Sequence, residues 1–299
     1  VPVGILDAET RQRARERHRS AIEYVLKLYD IDLIHMHGID FDSYLPPPGI
    51  PVLITLHLPL SWYSQESLRT GRPETYLNCV SASQRRACPH GVKFLPDIEN
   101  GVPVERYEGH RRRGKFVLAM GRICPEKGVH IAMDAARKAG LPLMIAGNVF
   151  RYPEHENYFR REILPGLDGR QCRFLGPVGW EYKRLLLSSA QCVLLPSLVP
   201  ETSSLVAMEA LACGTPAVAF PEGALADIIE HGKTGFLVNN AKEMADAIHS
   251  AASLDSEICR KAARDRFSAE RMIAQYFDVY KKIGGRWKKY RHPAMNHGR

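Results

Sequence analysis

Short apolar segments alternate with helical segments between residues 116 and 252, and this alternation restricts the possible folds more than any other feature of the chain. Apolar runs typical of buried strands lie at Phe116–Met120, Leu143–Ala146, Arg173–Leu175, Cys192–Leu195, Ala217–Phe220 and Gly235–Val238. Segments with the apolar spacing of helices lie at Val129–Gly140, Tyr158–Leu164, Glu181–Ser189, Ser204–Cys213, Ala224–Glu230 and Ala241–Ala252. Regular β–α alternation is typical of a parallel sheet with helices on both faces. The sequence therefore predicts a doubly wound α/β domain.

A similar but less regular pattern occupies the first part of the chain. Residues 7–29 have the apolar spacing of a helix, and Asp7 is placed to cap its first turn. Strand-like runs follow at Asp32–His37, Val52–His57, Leu77–Ser81 and Lys93–Pro96. The polar segment 108–114 is typical of a linker. We therefore expect a first domain over residues 1–108 and a second over 109–265. Residues 266–299 are expected to form an amphipathic helix, at Phe267–Ile283, followed by a basic tail.

Charge and cysteine content narrow the classes of function. The formal net charge of +8 suits an anionic ligand, an acidic membrane surface or nucleic acid, but no nucleic-acid-binding motif accompanies it. Its basic clusters lie at Arg11–Arg19, Arg111–Lys115 and Arg286–Arg299. The longest apolar run, at 52–60, is interrupted and falls short of the roughly 20 residues of a membrane span. Seven cysteines without a CxxC pair predict reduced thiols in a cytoplasmic protein.

The segment GRICPEKG at 121–128 directly follows the strand-like run at Phe116–Met120. Ligands of doubly wound sheets bind beyond the carboxyl ends of the strands. Gly121 permits a sharp turn there and Gly128 a close approach. Arg122 and Lys127 are cations suited to neutralise a diphosphate, the guanidinium in bidentate fashion and the ammonium as a point charge. A basic surface turn is the alternative interpretation.

A second candidate segment, residues 196–216, joins the strand-like run at Cys192–Leu195 to a helix. Glu201 lies before the helix and Glu209 lies on it. The N–H groups at Ser203, Ser204 and Leu205 are placed to bind an anion at the helix N-terminus, and the carboxylates could accept hydrogen bonds from sugar hydroxyls. The alternative makes Glu201 a favourable charge at the helix start and Glu209 an exposed residue.

Three histidines close strand-like runs at His35, His37 and His57. The His-x-His spacing places two rings on one face of a strand, and a third ring could complete a metal site. The same positions also suit hydrogen bonds to a substrate or within the core, and the sequence leaves both interpretations open.

A series of motifs occurs in a fixed order across the second domain. They are GR and PEKG within 121–128, AG at 146–147, FLGPV at 174–178, LLPS at 194–197, the pair Glu201 and Glu209, MEALACGTPAVA at 208–219, GALADII at 223–229 and GKTGFLV at 232–238. In this order they resemble the donor domain of family 4 retaining glycosyltransferases. The resemblance implies a GT-B fold, with two Rossmann-like doubly wound domains facing each other across a cleft. It also implies that the helix at Phe267–Ile283 packs back toward the first domain, although a closing helix of the second domain is the alternative.

The resemblance further implies transfer of a hexose-type sugar from a nucleotide diphosphate-sugar with retained anomeric configuration and without a metal or other cofactor. Arg122 and Lys127 hold the diphosphate, Glu201 contacts sugar hydroxyls, Glu209 contacts the ribose, and His57 faces the sugar. The expected catalytic residues are Arg122, Lys127, Glu201 and His57. The expected donor-binding residues are Gly121, Arg122, Lys127, Gly147, Val178, Glu201, Ser203, Ser204, Leu205 and Glu209.

Two features depart from that family. Ser203-Ser204 stands where Phe-Gly is usual, and nothing ahead of the helix at 7–29 supplies the usual first strands and glycine-rich loop. We therefore expect a truncated or abbreviated, and thus incomplete, first domain.

These departures keep other functions open. A non-catalytic nucleotide-sugar-binding protein is one alternative, and a metal-dependent hydrolase built on the histidines is another. The acceptor could be a saccharide, a lipid-linked molecule or a small molecule. We expect no nucleic-acid partner, and the basic helix and tail suggest peripheral contact with an anionic membrane at its inner face.

Overall fold

The computed structural model describes residues 7–107, 109 and 113–290. The chain divides into two compact units, of which the larger holds residues 100–271. The smaller unit combines the described residues 7–99 and 272–290. The predicted linker at 108–114 and basic tail lie partly outside the described residues. The domain boundaries expected at 108/109 and 265/266 stay predictions.

The smaller unit contains a three-stranded parallel sheet in the order β1-β2-β3. Its first elements are α1 (Ala8–Leu28), β1 (Ile34–Met36), β2 (Val52–Leu56), α2 (Gln65–Leu68), β3 (Thr75–Cys79) and α3 (Ala82–Arg86). The predicted N-cap is confirmed, because the Asp7 carboxylate accepts a hydrogen bond from the Thr10 N–H at 2.7 Å. Every residue of β2 is buried, as expected for the central strand of a parallel sheet.

Two strand predictions in this unit require correction. The run expected at Leu77–Ser81 forms a strand two residues earlier, because Thr75 pairs with Val52 and Cys79 pairs with Leu56. The run expected at Lys93–Pro96 forms no strand, and its contribution is an isolated bridge between Phe94 and Leu77. Pro96 lacks the N–H that a longer ladder needs.

The larger unit contains a six-stranded sheet in which every pairing is parallel. Its strands are β4 (Val117–Met120), β5 (Leu143–Ala146), β6 (Cys172–Gly176), β7 (Cys192–Leu195), β8 (Ala217–Ala219) and β9 (Gly235–Leu237). They lie in the order β6-β5-β4-β7-β8-β9, the order of a Rossmann-type sheet. The direction of winding reverses between β4 and β7, which defines the topological switch point.

Helices cover both faces of this sheet. They are α4 (Val129–Lys138), α5 (Pro153–Tyr158), α6 (Trp180–Ser189), α7 (Leu205–Ala212), α8 (Ala224–Ile228), α9 (Ala241–Ala251) and α10 (Ser256–Phe267). A π-helical turn at Phe159–Ile163 extends α5. Helix α10, half of whose residues are charged, was not predicted from the sequence. Its buried side chains Cys259, Ala263 and Phe267 nevertheless recur every four residues, the spacing of a single helical face.

Two hydrophobic clusters fill the larger unit, and neighbouring strand residues belong to different clusters. Leu118 and Val193 lie in one cluster, whereas Val117 and Leu194 lie in the other. Successive side chains of a strand point to opposite faces, so each cluster packs between one face of the sheet and its helices. The doubly wound fold predicted from the sequence is confirmed.

The last helix, α11 (Ala269–Tyr290), contributes to the core of the smaller unit. Tyr276 and Ile283, two turns apart, pack in one cluster with Leu53 and Ile98. The Tyr276 hydroxyl also lies 3.1 Å from the Thr55 hydroxyl. No helix in the part of the chain described here has both the length and the apolar character that crossing a membrane requires.

We expect Phe267→Ala to lower the free energy of unfolding of the larger unit by about 3–5 kcal/mol, because it leaves a cavity at a fully buried position in the core. Urea unfolding followed by circular dichroism measures the change. Phe277→Ala is the matched control, since the Phe277 ring is 56% exposed. Equal effects of the two substitutions would contradict the assignment of Phe267 to the core.

Candidate functional site

A pocket of about 180 Å³ lies at the switch point of the larger unit. Met120 at the carboxyl end of β4 and Leu195 at the carboxyl end of β7 line it. The loops that leave these two strands run to opposite sides, and the crevice between them is the usual ligand site of such a sheet. The predicted residues that line the pocket are Gly121, Arg122, Lys127, Glu201, Ser203, Ser204 and Leu205.

The loop after β4 owes its shape to close backbone contacts. Gly128 adopts φ +60°, and a Cβ there would lie 2.1 Å from the carbonyl oxygen of Pro196. The Lys127 and Gly128 N–H groups donate to the carbonyls of Cys124 and Pro125, which forms a 3₁₀ turn. This turn brings Lys127 to the pocket, while Arg122 is an exposed residue that lines it.

Lys127 and Glu201 form a hydrogen-bonded ion pair inside the pocket. The Ser197 hydroxyl donates to the same carboxylate oxygen of Glu201. The Glu201 side chain is 13% exposed, so this interaction is shielded from water. The structure therefore brings together a cation from the loop after β4 and a carboxylate from the loop after β7.

The start of α7 forms another wall of the pocket. Ser204 caps this helix, and its hydroxyl accepts a hydrogen bond from the Ala207 N–H at 3.4 Å. Ser204 has φ −126°, a region open to any residue, so the backbone here does not require a glycine. The Ser203 hydroxyl is buried and has no hydrogen-bond partner. An unpaired buried hydroxyl is costly, and a ligand in the pocket could pair with it.

Glu209 lies outside the pocket lining and belongs to a separate cluster of charged and aromatic side chains. It is 9% exposed and pairs with Lys183 at 2.7 Å, so the alternative that made it an exposed helix residue is wrong. The Lys183 ammonium lies 5.3 Å from the centre of the Trp180 ring, and the Arg106 guanidinium lies 4.2 Å from it. Burial, followed by the Glu209 carboxylate, raises the pKa of Tyr107 far above its ordinary value.

Lys183, Trp180 and Arg106 were not predicted from the sequence as part of a site. Lys183 and Trp180 are three residues apart on α6 and so lie on one face of it, but the predicted helix, Glu181–Ser189, begins after Trp180. Nothing in the sequence indicated that this face meets Glu209.

Gly147 and Val178 lie outside the lining of the pocket at the switch point. A Cβ on Gly147 would lie 1.7 Å from the carbonyl oxygen of Gly121, so only glycine permits this approach of the two loops. Val178 is partly buried and packs against the core cluster that also contacts Trp180.

His35, His37 and His57 lie together in the smaller unit, with His37 in contact with both of the others. The rings of His35 and His37 are 4.1 Å apart, and His37 Nδ1 lies 2.9 Å from His57 Nε2. Both nitrogens of His35 are engaged, Nδ1 with the Tyr280 hydroxyl and Nε2 with the Thr55 hydroxyl, each at 2.7 Å. His35 therefore has no free nitrogen for a metal, which argues against a three-histidine site.

Burial first, and then the neighbouring His37 and His57 rings, lower the pKa of His35 to about 4. We therefore expect the stability of the smaller unit to fall as the pH drops from about 6.5 to about 4, because the unfolded chain takes up this proton first. Urea unfolding at several pH values measures the effect. His35→Gln should make the free energy of unfolding less dependent on pH. Substitution of the exposed His90, as His90→Gln, should leave the pH dependence unchanged. An unchanged profile in His35→Gln would refute this assignment.

The comparison with known proteins agrees with this architecture. Residues 105–266 match the family described as glycosyl transferases group 1, and the chain belongs to that family. It is 28% identical over 218 residues to the phosphatidyl-myo-inositol mannosyltransferase of Mycobacterium tuberculosis. The matched region covers 66% of this chain and 54% of that protein. The chain thus spans about half the length of this relative.

Solved structures show the same fold. AviGT4, a glycosyltransferase involved in avilamycin A biosynthesis, is 25% identical and has a TM-score of 0.69, with 89% of this chain and 79% of that chain covered. Anabaena Alr3699/HepE in complex with UDP-glucose is 22% identical and has a TM-score of 0.70, with 87% and 81% covered. The fold is therefore of the GT-B class, as the sequence predicted.

We expect Gly128→Ala to lower the free energy of unfolding by about 1–3 kcal/mol more than Gly140→Ala, because the added methyl group meets the Pro196 carbonyl. Gly140 is a matched control, since it has φ +65° and its added Cβ meets nothing within 4 Å. Urea unfolding of both variants gives the difference. Equal losses would mean that backbone strain alone, and not the contact with Pro196, explains the glycine.

Proposed function

We propose that this chain carries the donor-binding part of a retaining glycosyltransferase that moves a hexose-type sugar from a nucleotide diphosphate-sugar to an acceptor. The observation that carries the proposal is the pocket at the switch point, which combines Arg122, Lys127 and Glu201 with the start of α7. Two cations and a helix N-terminus suit a diphosphate, and a carboxylate suits sugar hydroxyls. Uridine is the first base to test, because HepE was solved with UDP-glucose.

In the proposed reaction Arg122 and Lys127 stabilise the charge that develops on the departing diphosphate. The bond between the anomeric carbon and the diphosphate oxygen breaks, and the acceptor hydroxyl attacks from the same face. The diphosphate oxygen takes the acceptor's proton, so no separate base is required. The reaction needs no metal or other cofactor in this scheme.

Other predicted residues have supporting roles in the proposal. Glu201 exchanges its bond with Lys127 for bonds with sugar hydroxyls, and the unpaired Ser203 hydroxyl is available to the ligand. Glu209 binds the ribose, Val178 lines the base pocket, and Gly121 and Gly147 allow close backbone approach. The role expected of His57 stays a prediction. The acceptor, the cytoplasmic location and contact with an anionic membrane stay predictions.

We expect Arg122→Ala and Lys127→Ala each to weaken the binding of one nucleoside diphosphate about tenfold or more, which corresponds to the loss of roughly 1.5–3 kcal/mol from an ionic contact. Calorimetric titration with UDP, GDP, ADP and their sugar conjugates, without added metal, measures the affinities. Arg160→Ala and Lys138→Ala are matched controls in the same unit, since both side chains are exposed.

Further measurements separate sugar binding from nucleotide binding and binding from catalysis. Glu201→Gln should remove the extra affinity of the sugar conjugate over the bare nucleotide, because it reduces the acceptor strength offered to sugar hydroxyls. Donor binding without transfer or donor hydrolysis would favour the non-catalytic alternative. Failure of every nucleotide to bind a folded sample would refute the donor site.

A further inference from the structure

Three side chains with metal-binding atoms meet beside the pocket, outside its lining. The Cys124 sulfur, a Glu126 carboxylate oxygen and a His155 ring nitrogen all lie within 4.8 Å of one another. Cys124 and Glu126 belong to the turn after β4, and His155 belongs to α5. The sequence motifs give no hint of this group, because 28 residues separate Glu126 from His155.

Two of these side chains have polar atoms without a protein partner. Glu126 Oε2 and His155 Nδ1 are buried and accept or donate no hydrogen bond. His155 is 7% exposed and Cys124 is fully buried. A buried polar atom without a hydrogen-bond partner is costly, so an unpaired carboxylate oxygen and an unpaired imidazole nitrogen this close together indicate a ligand between them.

The element of each of the three ligand atoms indicates which metal ion the site would prefer. A thiolate, an imidazole and a carboxylate together are typical ligands of zinc, whereas magnesium and calcium prefer oxygen atoms alone. Zinc bonds of about 2.0–2.3 Å place tetrahedral ligands about 3.3–3.8 Å apart. A separation of at most 4.8 Å therefore closes to zinc geometry with side-chain movements of about 1 Å.

We propose that Cys124, Glu126 and His155 bind a zinc ion, with water as the fourth ligand. The thiol releases its proton to solvent on binding, and no electron is transferred. The thiolate and the carboxylate together balance the two positive charges of the ion.

This ion has a positioning role next to the pocket. The Cys124 carbonyl accepts the Lys127 N–H, and the Glu126 carbonyl accepts the Leu198 N–H at 2.8 Å. Zinc therefore ties the turn that carries Lys127, and through Leu198 the loop that carries Glu201, to the start of α5. The inference goes beyond the proposed transfer reaction and does not depend on it.

The test is direct measurement of zinc in the full chain. After treatment with a chelator and dialysis, the wild type should bind one equivalent of Zn²⁺ in a calorimetric titration, and its thermal midpoint should rise. Cys124→Ser, Glu126→Gln and His155→Gln should each weaken binding about tenfold or more. Cys172→Ser, another buried cysteine, should bind like the wild type.

Two further measurements control for misfolding of the variants and for zinc binding at a different site. In the wild type loaded with Co²⁺, a thiolate-to-metal charge-transfer absorption should appear, and it requires no substitution. His57→Gln should leave zinc binding intact. The proposal is overturned if no zinc binds, if the cobalt protein lacks the thiolate absorption, or if His57→Gln abolishes binding that a folded Cys124→Ser retains. None of these readouts uses a nucleotide, so failure here is distinct from failure of the donor site.

Discussion

The reversal of winding between β4 and β7 is the constraint on which the rest of the larger unit depends. Because all six strands are parallel, their carboxyl ends lie at one edge, and the reversal sends the two central loops apart. The space between them is the pocket. Its cations come from one loop, and its carboxylate and helix start come from the other, so the chemistry of the site follows from strand order.

Close backbone packing fixes the distance between those loops. Gly128 meets the Pro196 carbonyl and Gly147 meets the Gly121 carbonyl at separations that a side chain would not allow. These contacts join the turn after β4 to both of its neighbours in the sheet. The ion pair of Lys127 with Glu201 forms across the same gap, and the proposed zinc site would add a third connection through His155.

Much of this fold was predictable from the sequence, and the limits have physical causes. The bounds of β5 and β7 match the predicted runs, because polar or turn residues close each apolar segment. Helix α10 escaped prediction because its few buried residues lie among charged ones. Arg122, Lys127 and Glu201 were identifiable because they follow strands. The pairing of Glu209 with Lys183 and the meeting of Cys124 with His155 depend on contacts between distant segments, which no local pattern encodes.

Glu201 is a counter-ion to Lys127 within the pocket itself, and in the proposed cycle this has a consequence for turnover. A donor that replaces the carboxylate at Lys127 must also give Glu201 new partners, and the sugar hydroxyls do so. Once the sugar has been transferred, the carboxylate faces the diphosphate product without those partners. In that proposed cycle Glu201 would then compete with the product for Lys127, so the residue proposed to bind the sugar would also promote release of the spent nucleotide.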